Sequence, residues 1–221
     1  MLNINALTTA TLKKSPFKYS TIYEFLPPSY ADDLLKDLPS AGNYKSTRSS
    51  GSDKTYQVVN NILLAIGDSE YNKASEPSPI WIECIEQLHG SAYRSALSTL
   101  LDTDVTQCPM EITLKRYRHE DYISSHTDKE CIRATHMIFL NDTWEAPWGG
   151  LLHFLTEDQR DFESFLPSSN TSVAFVRADN SWHRVCPMNK KGKERIALQV
   201  AFWNQVDRIV APGRLVQAIY D

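Results

Sequence analysis

Long apolar runs are missing from this chain of 221 residues. No segment approaches the ~20 consecutive apolar residues that a membrane-spanning helix needs. The first ten residues contain neither a basic start nor a continuous apolar stretch, which argues against a secretory signal. Together these two absences predict a cytoplasmic protein that does not use a membrane as a partner.

An excess of basic residues and paired cysteine motifs are missing as well. The chain has 23 Lys and Arg against 27 Asp and Glu, a formal net charge of -4. A general nucleic-acid binder needs a basic excess or stripe to bind phosphates, so no nucleic-acid partner is expected. Without a CxxC pair, the four cysteines are expected to be reduced thiols. The sequence leaves the oligomeric state open.

What is present is the composition of an ordinary globular protein, with 42% apolar and 23% charged residues. The length suits one β-rich domain with a real core. We expect a single domain over residues 1–221, with helical support and a mobile loop in 1–109, a β core in 110–204 and a C-terminal tail in 205–221.

The spacing of apolar residues predicts helices first and strands afterwards. Apolar positions at helical spacing predict one bracing helix over residues 79–101. Residues 40–56 are polar and Ser-rich, typical of a mobile loop that is either a lid or an inert excursion. This order favours an α+β domain with a sandwich or barrel-like core. The predicted strands are 111–117, 134–140, 151–154, 172–176, 182–186 and 195–203.

Two histidines and an aspartate form the most informative pattern. In an extended segment, residues i and i+2 point to the same side, so His126 and Asp128 can reach one metal ion. His183 begins a later strand and can supply a third ligand. Two imidazoles and one carboxylate suit a non-haem ferrous ion and leave its other positions open. Taken separately, each residue could instead be a turn or core residue.

An arginine follows the second histidine after a short polar segment. Residues 188–193 are typical of a hairpin loop, which would return Arg195 antiparallel to the His183 strand and close to the metal. A guanidinium offers a planar fork that matches a carboxylate with two hydrogen bonds. The alternative is an exposed arginine at a hairpin end.

The order of short motifs over residues 110–204 resembles the prolyl-4-hydroxylase-like branch of the Fe(II)/2-oxoglutarate-dependent oxygenases. More loosely, the resemblance includes residues 16–39 and the bracing helix. The segments that carry it are 114–117, 126–128, Arg133, 139–142, 148–154, 182–185 and 192–195.

That resemblance implies a double-stranded β-helix, of the jelly-roll or cupin-like kind, braced by N-terminal helices. It implies that His126, Asp128 and His183 are the catalytic residues that bind Fe(II), and that Arg195 and Tyr117 bind 2-oxoglutarate. O₂ would be the co-substrate and ascorbate a candidate stimulant. The implied reaction converts 2-oxoglutarate to succinate and CO₂ and hydroxylates an unactivated C–H bond. Relatives that halogenate lack the carboxylate ligand, so Asp128 favours hydroxylation.

The chain departs from the family pattern at several positions. Glu120 and Asp121 occupy a turn that often contains glycine, Leu151 replaces a frequent glutamate, and Ala197 replaces a frequent serine. The hairpin before the arginine is also longer than usual, which leaves Lys190 or Lys191 as possible substitutes for Arg195.

The substrate is less constrained by the sequence. Glu120 and Asp121 could meet an amine and Arg133 a carboxylate, although charges on strands and loops are usually solvated. Arg116, Arg118, Lys45, Arg48 and Lys54 are further candidates. Charges of both signs favour a free amino acid or similar zwitterion as the small-molecule substrate. The alternatives are a residue in a peptide, protein or carrier-bound group, and a non-catalytic metal-binding sensor. Desaturation or ring formation stays open beside hydroxylation.

Overall fold

The computed structural model describes residues 1–40, 43–50 and 54–204. The predicted tail, residues 205–221, lies outside these ranges, and so do five positions of the predicted mobile loop. Among the helices of the described residues, none is long and apolar enough to span a bilayer.

The elements of the described residues are mostly strands. The helices are α1 (Asn5–Thr9), α2 (Pro28–Lys36), α3 (Pro79–His89) and α4 (Ser91–Leu101). The strands are β1 (Tyr19–Tyr23), β2 (Lys45–Ser50), β3 (Thr55–Leu64), β4 (Met110–Tyr117), β5 (Tyr122–His126), β6 (Ile132–Phe139), β7 (Leu152–Leu155), β8 (Asp161–Phe165), β9 (Thr171–Val176), β10 (His183–Val185) and β11 (Arg195–Trp203).

The strands form one curled antiparallel sheet in the order β1-β9-β6-β11-β4-β3-β5-β10-β7-β8, with β2 paired to β3. Side chains from both ends of this order meet inside the curl, where Phe154 of β7 lies 5.2 Å from Phe175 of β9 between ring centroids. The curled sheet confirms the predicted double-stranded β-helix core, and its interior is where a ligand can be enclosed.

The helices cover the outer face of the sheet. Trp81 and Leu88 of α3 and Leu97 of α4 are fully buried in one cluster with Leu114 and Leu198 of the sheet. The indole of Trp81 also donates a hydrogen bond to the carbonyl of residue Leu34 at 3.1 Å. Because apolar side chains on both faces are buried, β4 and β11 are held rigidly and can position polar groups inside the curl.

The predicted bracing helix is two helices. Gly90 separates α3 from α4 with an extended backbone, φ -65° and ψ 154°. A Cβ at this position would lie 3.3 Å from the carbonyl oxygen of Gln87, so the chain turns where a side chain would crowd the preceding helix end. The helical spacing of apolar residues continues across the break, which is why the sequence predicted one helix.

The prediction of a mobile loop over residues 40–56 was wrong for most of the described residues in that range. Residues 45–50 form β2 and pair with β3, which begins at Thr55. The side chains of β2 are exposed or half-buried, so the strand lacks the apolar alternation by which strands are recognised. A polar edge strand of this kind also protects a sheet from pairing with other chains.

Two glycines let the chain pass close to the segment before the last hairpin. Gly149 has φ 76° and ψ -159°, a conformation open almost only to glycine, and a Cβ there would lie 2.0 Å from the carbonyl oxygen of Pro187. At Gly150 a Cβ would lie 2.4 Å from the Met188 sulfur and 3.2 Å from Cδ of Arg195. The pair therefore makes room for the arginine side chain.

Replacing Gly149 by alanine is expected to lower the free energy of unfolding by about 3 kcal/mol or more, because backbone strain and a clash with backbone add together. Gly67→Ala is the matched control: its φ is 77°, but nothing lies within 4 Å of its Cβ position. Strain alone costs about 1–2 kcal/mol there. Urea unfolding of both variants measures the difference, and equal losses would contradict the close approach.

Candidate active site

The three predicted metal ligands meet inside the curl. His126 ends β5, His183 begins β10, and the two residues are direct partners in the antiparallel pairing. Asp128 lies two residues beyond His126. One candidate ligand atom from each residue lies within 4.8 Å of the others, and Nε2 of His183 is 3.7 Å from Oδ1 of Asp128. The pairing of β5 with β10 therefore brings together ligands that are far apart in the sequence.

Backbone groups orient both imidazoles. Nδ1 of His126 lies 2.8 Å from the carbonyl oxygen of Ser124, and Nδ1 of His183 lies 3.0 Å from that of Ser181. A carbonyl oxygen only accepts, so each Nδ1 carries the proton and each Nε2 keeps a lone pair. This outer contact is the usual way in which metal-binding histidines are held.

The carboxylate is oriented in the same manner. Thr135 of β6 donates a hydrogen bond from its hydroxyl to Oδ2 of Asp128 at 2.8 Å. The other oxygen, Oδ1, is the one that lies near His183. One carboxylate oxygen is thus held by the protein while the other faces the two imidazoles.

The protonation states suit a metal. Burial, followed by the proximity of His183, lowers the pKa of His126 to about 3, so this imidazole is neutral at physiological pH. Burial acts to raise the pKa of Asp128, but His183, His126 and the Thr135 hydroxyl outweigh it and the pKa of Asp128 is lowered. A neutral imidazole and an ionised carboxylate are the forms that bind metal.

Arg195 is a buried cation without a hydrogen-bond partner among the described residues. It is 0% exposed, and its Nε, Nη1 and Nη2 all lack a partner. Its guanidinium carbon lies 4.6 Å from the ring centre of Tyr117 and 5.2 Å from that of Phe139. Burial lowers the pKa of this guanidinium. A buried charge is costly unless an opposite charge meets it, so the site is prepared for an anion.

Tyr117 joins the arginine to the metal ligands. It is the direct β4 partner of Arg195 on β11, and it lines the same cavity as His126, Asp128 and His183. Burial raises its pKa to about 12, so the phenol keeps its proton and can donate a hydrogen bond. The suggested substitutes Lys190 and Lys191 are exposed on the hairpin, whereas Arg195 is buried opposite Tyr117, so they do not replace it.

The cavity has a volume of about 230 Å³. The β2–β3 hairpin closes one side with Thr47, Lys54 and Tyr56. Small-molecule sites usually enclose roughly 300–1,000 Å³, so this space suits a small ligand or a single inserted side chain. The apolar part of its wall is formed by Val58, Ile123, Ile132, Met137, Leu152, Phe175, Val185 and Trp203.

The predicted substrate contacts lie elsewhere. Arg133 and Glu120 are exposed and do not line the cavity. Asp121 is buried, but its Oδ2 accepts a hydrogen bond from the backbone N–H of Arg118 at 2.7 Å and so closes a turn. Of the other candidates, Lys54 does line the cavity.

Among the polar residues of the cavity wall that sequence reasoning missed are Glu111 and Lys115 on β4, Asn60 on β3 and Gln199 on β11. The signal for two of them was available. Glu111 and Lys115 are an even number of residues from Tyr117, so strand alternation places all three side chains on one face. Asn60 and Gln199 required the strand pairing.

Comparison with known proteins agrees with this geometry. The model of the 2OG-Fe(II) oxygenase superfamily matches residues 112–203. The fold is similar to a prolyl-4-hydroxylase from Pseudomonas putida, with 18% identity, 92% of this chain and 97% of that chain covered, and a TM-score of 0.57.

Two further solved structures share the fold. A prolyl hydroxylase from Trichoplax adhaerens, in complex with a hypoxia inducible factor oxygen degradation domain peptide fragment, is 16% identical, with 90% of this chain and 86% of that chain covered and a TM-score of 0.58. An oxidoreductase of the 2OG-Fe(II) oxygenase family from Burkholderia pseudomallei is 14% identical, with coverages of 79% and 78% and a TM-score of 0.54.

Proposed function

We propose that this chain, whose β core matches the model of the 2OG-Fe(II) oxygenase superfamily, is an oxygenase of that superfamily that hydroxylates an unactivated C–H bond of a free amino acid or similar small zwitterion. The observation that carries the substrate class is the cavity: it is small, and charged side chains of both signs line it within the same space as the metal-ligand triad. A ligand with one positive and one negative end matches such a wall.

Fe(II) in this proposal is bound by His126, Asp128 and His183. The donor set of two imidazoles and one carboxylate suits ferrous iron and leaves positions for 2-oxoglutarate and O₂. With both bound, the iron supplies the oxidation of 2-oxoglutarate to succinate and CO₂ and the insertion of oxygen into a C–H bond. The protein contributes the backbone and Thr135 contacts that fix the three ligands in place.

Arg195 binds the distal carboxylate of 2-oxoglutarate. Its three unpartnered nitrogens offer the planar fork that a carboxylate matches with two hydrogen bonds. Tyr117, whose phenol stays protonated, donates a further hydrogen bond to the same end. Met137, Leu152 and Val185 give the cavity that contains the metal ligands an apolar wall, which disfavours water there.

A second candidate is a residue within a peptide. Two of the similar folds are prolyl hydroxylases, and one of them was solved with a peptide fragment. A single side chain could enter the same cavity, with the rest of the peptide outside. A non-catalytic sensor is less well supported, because it would not need a buried arginine without a hydrogen-bond partner among the described residues, placed opposite Tyr117 of the triad cavity.

The test is a screen for substrate-dependent succinate. The protein is incubated with Fe(II), ascorbate and 2-oxoglutarate, together with each standard amino acid or with the same residue blocked as its N-acetyl amide. We expect one or a few free amino acids to stimulate succinate formation and to gain one oxygen atom by mass. Stimulation by blocked residues or peptides alone would refute the zwitterion proposal and favour the peptide.

A further inference from the structure

One wall of the cavity carries an ordered row of charged and amide side chains. Lys115 on β4 is paired with Asn60 on β3 and with Ala197 on β11. Glu111, four residues earlier on the same strand, is paired with Ala201. Both partners on β11 are alanines, whose short side chains leave the lysine and the glutamate as the long side chains of this face. Glu111, Lys115 and Asn60 all line the cavity.

Lys115 is held in place by a hydrogen bond that does not use all the N–H donors of its ammonium group. Within the described residues its ammonium donates a hydrogen bond to Oδ1 of Asn60 at 3.2 Å. The Asn60 amide in turn donates to the Thr47 hydroxyl at 3.3 Å, which fixes which way the amide points. An ammonium has three N–H donors, so the asparagine leaves donors that a ligand can use.

The charge of Lys115 is retained at neutral pH. Burial lowers its pKa to about 8, and the nearby Glu111 carboxylate opposes that shift. A cation in a partly dehydrated cavity is stabilised by an anion placed against it. The small ligand proposed above supplies that anion in its carboxylate.

The position of the ammonium separates it from the 2-oxoglutarate site. On β4 the direct partner of Arg195 is Tyr117, whereas Lys115 is paired with Ala197, two residues further along β11. Lys115 therefore stands about 7 Å along the strand from the position opposite the arginine, on the side toward Glu111. The arginine already offers a complete fork for the distal carboxylate of 2-oxoglutarate. A second carboxylate, from the substrate, is the remaining ligand in reach.

We infer that Lys115, positioned by Asn60, binds the substrate carboxylate, and that Glu111 faces the substrate ammonium group. This row is a specificity site on β3 and β4, in place of the predicted contacts at Arg133, Glu120 and Asp121. The inference rests on the proposed function, since it needs a substrate with a free carboxylate. It assigns the zwitterion a fixed direction in the cavity.

Lys115→Met tests the inference against the free amino acid that gives the strongest succinate formation. Loss of a hydrogen bond to a charged group corresponds to about a 10- to 100-fold rise in KM for that amino acid. The wild-type protein should prefer the free amino acid to its methyl ester by a similar factor, and the variant should lose this preference. Lys45→Met is the matched control, because Lys45 is exposed on β2, outside the cavity lining, and its removal should change neither value.

A readout without turnover separates the two carboxylate sites. The affinity of Mn(II)-loaded protein for 2-oxoglutarate, measured by calorimetry, should be the same in Lys115→Met and the wild type. A loss there would assign Lys115 to 2-oxoglutarate and overturn the inference. An unchanged preference for the free acid over the ester would overturn it as well, because it would reduce Lys115 to a structural partner of Glu111.

Two further variants distinguish unfolding from loss of the carboxylate contact. If Lys115→Met unfolds because Glu111 loses its counter-charge, the double variant Lys115→Met/Glu111→Gln removes both charges and should lose the acid–ester preference. Lys115→Arg keeps the cation and should restore part of that preference.

If no free amino acid stimulates the wild-type protein, the proposed function fails and this inference fails with it. If a free amino acid does stimulate the wild-type protein but the Lys115 variants behave as the wild type does, the proposed function stands and this inference alone fails.

Discussion

Asp128→Ala and His183→Ala are each expected to abolish Fe(II)-dependent succinate formation, with a loss of roughly 1,000-fold or more. Removing an outer partner of a metal ligand typically costs about 10- to 100-fold in affinity or activity, and removal of a ligand itself must exceed that. Within the part of the chain that the structure describes, these three residues are the one group of His, Cys, Asp or Glu placed to hold an ion, so no other ligand set can take over the metal. The measurement is succinate formation, paired with Mn(II) binding by EPR spectroscopy.

Matched substitutions elsewhere separate loss of the metal from general damage. His153→Ala and Asp161→Ala remove one imidazole and one carboxylate that contact each other on β7 and β8, at 3.6 Å. Both variants should bind Mn(II) as the wild type does. Thr135→Val should give an intermediate loss of about 10- to 100-fold, since it removes the hydrogen bond that orients Asp128. Full Mn(II) affinity in Asp128→Ala would refute the ligand assignment.

Arg195→Met is expected to have opposite effects on binding and on stability. Truncating one partner of a buried charge pair costs about 2–5 kcal/mol, so the affinity for 2-oxoglutarate should fall by roughly 30- to 5,000-fold. Without that ligand, however, the guanidinium is a buried charge with no hydrogen bond among the described residues. Its replacement by a side chain of similar volume removes an unpaired charge from the interior.

Whether Arg195→Met raises or lowers the free energy of unfolding depends on two contributions: the ring contacts that are lost and the buried charge that is removed. The contacts of the guanidinium with the rings of Tyr117 and Phe139 contribute about 1–2 kcal/mol. Relief of the buried charge is worth about 1–4 kcal/mol in comparable replacements and outweighs those contacts. We therefore expect an equal or higher free energy of unfolding in Arg195→Met without 2-oxoglutarate.

Calorimetry on Mn(II)-loaded protein measures the affinity, and urea unfolding without ligand measures the stability. Arg133→Met is the control, because this arginine is exposed on β6 and does not line the cavity. It should change neither quantity. A large loss of stability in Arg195→Met with unchanged affinity would show that the arginine serves the fold and not the ligand.

The strands that build the core were largely predictable. Residues 195–203 were predicted as a strand and form β11, and the other predicted segments overlap β4, β6, β7, β9 and β10. These segments are short, rich in β-branched and aromatic residues and separated by turn signals, and these features identify them as strands. β5 and β8 were missed, because each is half-buried or exposed at every residue except its last and so lacks an alternating apolar pattern.

Residue chemistry and local spacing were enough for the sequence alone to single out His126, Asp128, His183 and Arg195. Residues two positions apart on an extended chain point to the same side. Two imidazoles with one carboxylate are a ligand set that suits ferrous iron. Tertiary structure decided which charges line the cavity. Arg133 and Lys115 are both basic residues on strands, yet Arg133 is exposed, whereas Lys115 lines the cavity that contains the metal ligands. Their difference arises from which strands pair and how the sheet curls, and these depend on contacts between residues far apart in the chain.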